Sequence, residues 1–164
     1  AEITGVTNSD FIKTALETRL GENEHISLFK FIKSLDKATK ELKMNENLPH
    51  RYVNVGFSGG EKKRNEILQM KLLEPKFAIL DEIDSGLDVD SVKTVAKNVV
   101  EYKKENPNTS ILIITHLPKL LEYLKPDFVH ILKDGKIQKT GDINLALEIE
   151  KDGYTGINAM IGNE

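Results

Sequence analysis

The chain predicts an α/β protein, with helices through its first half and strands alternating with helices in the second. Apolar residues recur at helical spacing up to residue 74. Beyond that point two short apolar runs, residues 77–80 and 111–114, flank an amphipathic stretch at 89–104. Strand, helix, strand in that order is a βαβ unit, so its strands should be parallel. An Asp134-Gly135 pair between two further strand-like runs adds a hairpin near the end.

The elements follow in order. Residues 1–7 read as a loop, with Thr7, Asn8 and Ser9 as candidate caps of a first helix. Phe11, Ile12, Ala15, Leu16 and Leu20 give that helix its stripe, and Gly21-Glu22-Asn23 breaks it. Leu28, Phe29, Ile32, Leu35 and Leu42 define a second helix running to about Lys43. Residues 45–52, with Pro49, form a loop. A third helix starts at Ser58 and stops before Pro75, so residues 1–74 hold helices and no strand.

The run 77–80 reads as a strand buried on both faces. Val92, Val95, Ala96, Val99 and Val100 mark the buried side of the next helix, which Asn106-Pro107-Asn108 ends. The strand at 111–114 runs into Thr115-His116. Pro118 suits the first turn of a short helix with Leu120, Leu121 and Leu124 inside. The hairpin covers 128–132 and 136–140, a last helix covers 144–151, and the tail at 153–164 has no clear period.

Bulk numbers exclude several classes. At 164 residues the chain is the size of one domain. A net charge of −3 gives no pull toward nucleic acid or anionic lipid. Without cysteine there is no disulfide framework, and the chain has no thiolates of its own to ligate a metal or a cluster. Its apolar runs fall far short of the roughly 18 residues needed to span a bilayer, so direct membrane insertion is not expected and a soluble protein is. The start has no Met, basic region or apolar core of a signal peptide, and it reads like the middle of a longer protein.

Chemistry concentrates where strands end. Ligands of parallel sheets bind beyond the carboxyl ends of the strands. Asp81 and Glu82 leave one such end and His116 the next, so all three are expected to face one crevice. A strand-tip Asp suits magnesium, and the neighbouring carboxylate suits orienting or deprotonating an attacking water. A solvated acidic turn is the plainer meaning of either in isolation. Ser58-Gly59-Gly60-Glu61 is first of all a capping box. Its glycines also leave backbone N–H groups open to a phosphate at a helix N-terminus, and the two readings are compatible. A neutral His116 imidazole suits donation to a phosphate oxygen. His25, His50 and His130 have no comparable setting, and His130 reads as structural. Lys62, Lys63 and Arg64 read as a solvated basic patch.

Taken together, the set resembles the nucleotide-binding domain of ATP-binding cassette (ABC) ATPases, members of the P-loop NTPase class. Phe57-Ser58-Gly59-Gly60-Glu61 is similar to the signature motif usually written LSGGQ. Residues 77–82 resemble Walker B, Ser85-Gly86-Leu87-Asp88 the D-loop, and His116 the switch histidine. The resemblance covers essentially the whole chain. Within it, GVTNSDF, FSGGEKKRNEILQM, LEPKFAILDE and DSGLDVDSVK are similar to the SufC-type ATPases of the SUF iron–sulfur cluster assembly machinery. Ile83 departs from the small hydroxyl residue expected after Walker B.

The resemblance implies a helical subdomain at 1–74 and the C-terminal part of a RecA-like sheet subdomain at 75–164, closed by a β-hairpin and a helix. It implies ATP and Mg2+, with Asp81 on the metal, Glu82 as general base and His116 on the γ-phosphate. Ser58, Gly59, Gly60 and Glu61 would bind nucleotide held by a second subunit, and Asp88 would couple the two sites. The implied partners are a SufB–SufD scaffold and a second SufC-like subunit. The alternatives are the ATPase subunit of an ABC transporter and a non-catalytic docking module.

No G-x-x-x-x-G-K-[ST] occurs, and no Q-loop glutamine or upstream adenine-stacking aromatic can be identified. The chain thus reads as the C-terminal portion of a SufC-like protein. Alone it is expected to bind and hydrolyse ATP poorly, to expose apolar sheet surface and to self-associate. Lys62, Lys63 or Arg64 is a candidate latch on Glu82 in the resting monomer. Frequent Lys and Asn, with the SUF likeness, point to an apicoplast stroma or a bacterial cytoplasm.

Overall fold

The computed structural model describes residues 1–21, 24–148 and 151. The chain forms two compact units, residues 1–114 and 115–164.

The first unit opens on β1 (Ile3–Thr7), not a loop. It pairs antiparallel with β2 (Tyr52–Val53), so the first half does contain strand. The pairing joins Ile3 to Val53 and Thr7 to Tyr52, with an irregularity between them where Gly5 takes a φ of 85°. Such a ladder leaves little trace in local sequence pattern, because its partners lie far apart and its register is broken.

Helix α1 (Asn8–Glu17) is capped by Thr7, whose hydroxyl accepts from the Asp10 N–H at 3.1 Å. It ends before Leu20, and Glu22 and Asn23 of the expected break lie outside the described residues. Helix α2 (Leu28–Glu41) buries Phe31, Leu35, Ala38 and Thr39. Leu28, Phe29 and Ile32 of the predicted stripe are exposed instead. The helix is apolar on two sides in its first turns, and periodicity alone does not say which side meets a partner. A short 3-10 turn at Leu48–His50 leads to β2 and then to α3 (Gly59–Leu73). That helix starts with the predicted capping box and ends at a left-handed Glu74.

β3 (Phe77–Asp81) and β4 (Ser110–Ile114) pair in parallel, from Phe77 opposite Ser110 to Asp81 opposite Ile114. Between them runs α4 (Val89–Glu105), with Val92, Val95, Ala96, Val99 and Tyr102 buried. The βαβ unit is therefore as expected, but burial of the strand on both faces is not. Phe77 and Ile79 are 56% and 58% exposed, and Leu112 and Ile114 of β4 are 43% and 49% exposed. β3 and β4 form a two-stranded sheet among the described residues, with Ala78 and Leu80 of β3 buried on one face. The other face shows the exposed apolar surface that the sequence led us to expect.

The second unit contains α5 (Pro118–Leu124) and a hairpin of β5 (Val129–Lys133) and β6 (Lys136–Gly141). Asp134 and Gly135 make the two-residue turn with φ of 52° and 73°, as a type I′ turn requires. Val129 and Ile131 pack with Leu145, Ala146, Leu121 and Ile143. His130 lies on the exposed face, where Nδ1 and Thr140 Oγ1 are 2.8 Å apart. Residues 143–148 are helical, while positions 149 and 150 of the expected last helix and the tail at 153–164 lie outside the described residues.

Candidate functional site at the start of the third helix and the tip of the third strand

The start of α3 is organised by reciprocal bonds. Glu61 N–H donates to Ser58 Oγ at 3.2 Å, and Ser58 N–H donates to Glu61 Oε2 at 2.8 Å. These bonds take up the orphan amides on either side of the two glycines. The N–H groups of Gly59 and Gly60 make no hydrogen bond among the described residues. A side chain at Gly59 would meet open space, whereas one at Gly60 would stand 3.3 Å from Leu87 Cδ2. Two free amides on an accessible helix N-terminus form an anion-binding end. Glu61 is committed to the cap, which gives its carboxylate a structural task.

The segment before this helix is also held. The Arg51 guanidinium stands 5.2 Å from the centre of the Phe57 ring, a cation–π contact. Its Nη2 donates to the carbonyls of Val55 at 3.0 Å and Gly56 at 3.3 Å. Gly56 has a φ of 64°, a conformation that favours glycine.

Across from α3 lies the 85–88 turn. A cavity of about 410 Å³ opens between residues 58–61 and residues 86–88, with Arg64 and Ser91 also lining it. Asp88 caps α4, accepting from Ser91 N–H at 2.8 Å and Ser91 Oγ at 3.0 Å. The Ser91 backbone N–H, and then its hydroxyl, hold the Asp88 carboxyl below the usual range. Both oxygens of Asp88 are thus engaged within the chain, a role the sequence reading did not assign.

Asp81 ends β3 with its side chain exposed, and Glu82 follows it. Glu82 has a φ of 48°, in the left-handed region. The other non-glycine residues with positive φ are Lys43, Asn54, Glu74, Lys125 and Asp134. They lie at helix ends or in turns, where that conformation is ordinary. Glu82 follows β3 as Asn54 follows β2 and Asp134 follows β5; its N–H is fixed to the Ile114 carbonyl at 2.8 Å and its carbonyl accepts from the Ser85 N–H at 3.1 Å. Ile83, the one departure noted near this motif, is fully buried.

The basic residues are not a uniformly solvated patch. Lys62 pairs with Glu2 at 3.0 Å. Arg64 Nη2 donates to Ser91 Oγ at 2.6 Å. Lys63 Nζ lies 3.4 Å from Glu66 Oε2 and 3.3 Å from the Asp81 carbonyl oxygen. Of the three latch candidates, Lys63 is the one that reaches the Asp81 segment. Arg64 was overlooked as a site residue, although four residues of helix put it on the same face as Gly60. His116 is exposed and belongs to the second unit, two residues beyond β4. Among the described residues no group of three or more His, Cys, Asp or Glu side chains gathers as a metal cage, and no helix is long and apolar enough to cross a membrane.

No family model matches the chain. Individual proteins do. All 164 residues align at 48% identity with vegetative protein 296 of Bacillus subtilis, covering 62% of that protein. They align at 49% identity with a probable ABC transporter ATP-binding protein of Streptococcus pyogenes, covering 63% of it. Over its whole length this chain is similar to part of the ABC-type ATP-binding proteins. A probable ATP-dependent transporter, ycf16 of Guillardia theta, is 48% identical over 158 residues, or 93% of this chain and 60% of that protein. The fold agrees with a solved dimeric cassette of a bacterial ABC transporter, at a TM-score of 0.71 and 17% identity over 87% of this chain and 59% of the cassette. The chain thus has the ABC cassette fold in part, and it spans under two thirds of the length of the ABC ATPase relatives it matches.

Proposed function

We propose that the full-length protein is a SufC-type ATPase, whose ATP-driven dimerisation powers iron–sulfur cluster assembly on a SufB–SufD scaffold. The observation that carries the ATPase reading is the pair of free Gly59 and Gly60 amides facing the SGLD turn across an open cavity. In this reading each site joins the phosphate loop of one subunit to the signature of the other. Ser58, Gly59 and Gly60 close in trans on the γ-phosphate of ATP held by a second subunit, and His116 contacts the γ-phosphate at its own subunit's site. The Glu82 carboxylate takes a proton from the attacking water as that oxygen bonds to phosphorus and the bond to the bridging oxygen breaks. Asp81 suits Mg2+, since one exposed carboxylate with phosphate oxygens and water is its usual shell. The ion supplies charge neutralisation on the phosphates. Residues 1–74 act as the helical subdomain and 75–164 as part of the catalytic one.

The SUF assignment rests on the Glu61-Lys62-Lys63-Arg64-Asn65 sequence after the glycines and on a chain with no thiolate to ligate a cluster itself. An apicoplast or bacterial compartment accompanies it. An ABC transporter subunit is the second reading, favoured by the descriptions of the Streptococcus and Guillardia relatives. ATP with Mg2+ is expected to convert full-length Glu82→Gln protein from monomer to dimer in sedimentation velocity. A sedimentation coefficient unmoved by nucleotide would count against the proposal.

A further inference from the structure

We infer that Arg64 is a positioning residue that locks the phosphate-facing end of α3 to the SGLD turn, so that the two move as one body. The inference rests on the reading that α3 engages the γ-phosphate. Three elements meet at one guanidinium. Nη2 donates to Ser91 Oγ at 2.6 Å, in the first turn of α4. Nη1 donates to the Lys43 carbonyl at 3.4 Å, just past the C-terminal end of α2, where the helix dipole favours a cation. Ser91 then passes the contact on, because its hydroxyl donates to Asp88 Oδ2 at 3.0 Å. Steric contact runs parallel to this chain of bonds, with Leu87 set against the bare Cα of Gly60.

Both motifs therefore share a link made of three side chains, Arg64, Ser91 and Asp88, held by hydrogen bonds at each step. Arginine suits the position because its planar fork serves two acceptors on different helices at once, which an ammonium point charge does not. When the signature glycines close on a phosphate, the link draws the 85–88 turn along. The turn then reaches its working position only in the closed state, so the link acts on the chemical step and not on initial ATP binding.

The test is steady-state ATPase kinetics of full-length protein carrying Arg64→Gln, Ser91→Ala or both. Ser91→Ala removes the relay hydroxyl and leaves the backbone cap on Asp88. Each single variant is expected to lower kcat by about tenfold, as misplacement of catalytic groups does, with KM for ATP unmoved. The double variant should be no worse than Arg64→Gln alone, because both break one connection. Wild-type kcat in Ser91→Ala, or losses that multiply in the double variant, would overturn the inference while leaving the ATPase reading intact. If Arg64→Gln does not fold, Ser91→Ala decides alone by the same kcat and KM criterion. A wild-type protein without ATP turnover would overturn both.

Discussion

Glu82→Gln is expected to lower ATP turnover of the full-length protein by about 100-fold or more, the usual scale for a lost general base. The substitution is close to isosteric. It keeps the main-chain bond from residue 82 to the Ile114 carbonyl and asks nothing new of a backbone already at a φ of 48°. It removes only the carboxylate proposed to accept the proton. The left-handed φ is compatible with the turn that Glu82 opens, whose carbonyl accepts from the Ser85 N–H at 3.1 Å, so turnover and not backbone geometry decides its role. ATP-driven dimerisation should survive the change, since the Gly59 and Gly60 amides are untouched. Turnover within threefold of wild type would remove Glu82 from the mechanism.

Asn65→Ala is expected to destabilise the first unit by about 2–4 kcal/mol, the sum of stranded partners and a small cavity. Asn65 is fully buried in α3. Its Nδ2 donates to Asn8 Oδ1 at 2.8 Å and to Asn54 Oδ1 at 3.1 Å. Asn8, itself fully buried, donates through Nδ2 to the Leu48 carbonyl at 3.1 Å. Asn54 donates to the Ala1 carbonyl at 3.1 Å. One amide thus ties α3 to α1 and to the segment that feeds Phe57. Alanine leaves both acceptors without that donor, and the one on Asn8 has no access to water. Native-state hydrogen exchange at the α1 and α3 amides measures the loss without assuming that the two units unfold together. A change below about 1 kcal/mol would mean that the network is held by its other members.

The same asparagines show where sequence reading stops. Asn8 reads as one of three possible caps, and the structure gives the cap to Thr7 and buries Asn8. Nothing in composition distinguishes a buried amide from a solvated one, because the difference lies in partners dozens of residues away. Local chemistry is legible by contrast. Ser58 and Glu61 stand at capping-box spacing, Asp134-Gly135 at hairpin-turn spacing, and both form as expected. The parallel pairing of β3 with β4 was legible because two apolar runs on either side of a helix leave few alternatives. The β1–β2 ladder was not, since its register is broken at Gly5. Arg64 reads like its basic neighbours because net charge does not say which partner each cation takes. On the helix it lies one turn from Gly60, and that spacing was the available signal.

An ATPase working on a SUF scaffold is the function proposed for the full-length protein. The measurement that tests it most directly is ATP hydrolysis by the full-length protein with and without purified SufB–SufD. Turnover is expected to rise when the scaffold is added and to disappear in Glu82→Gln. Turnover indifferent to the scaffold would contradict the SUF assignment and favour the transporter reading, and no turnover under either condition would contradict the ATPase itself.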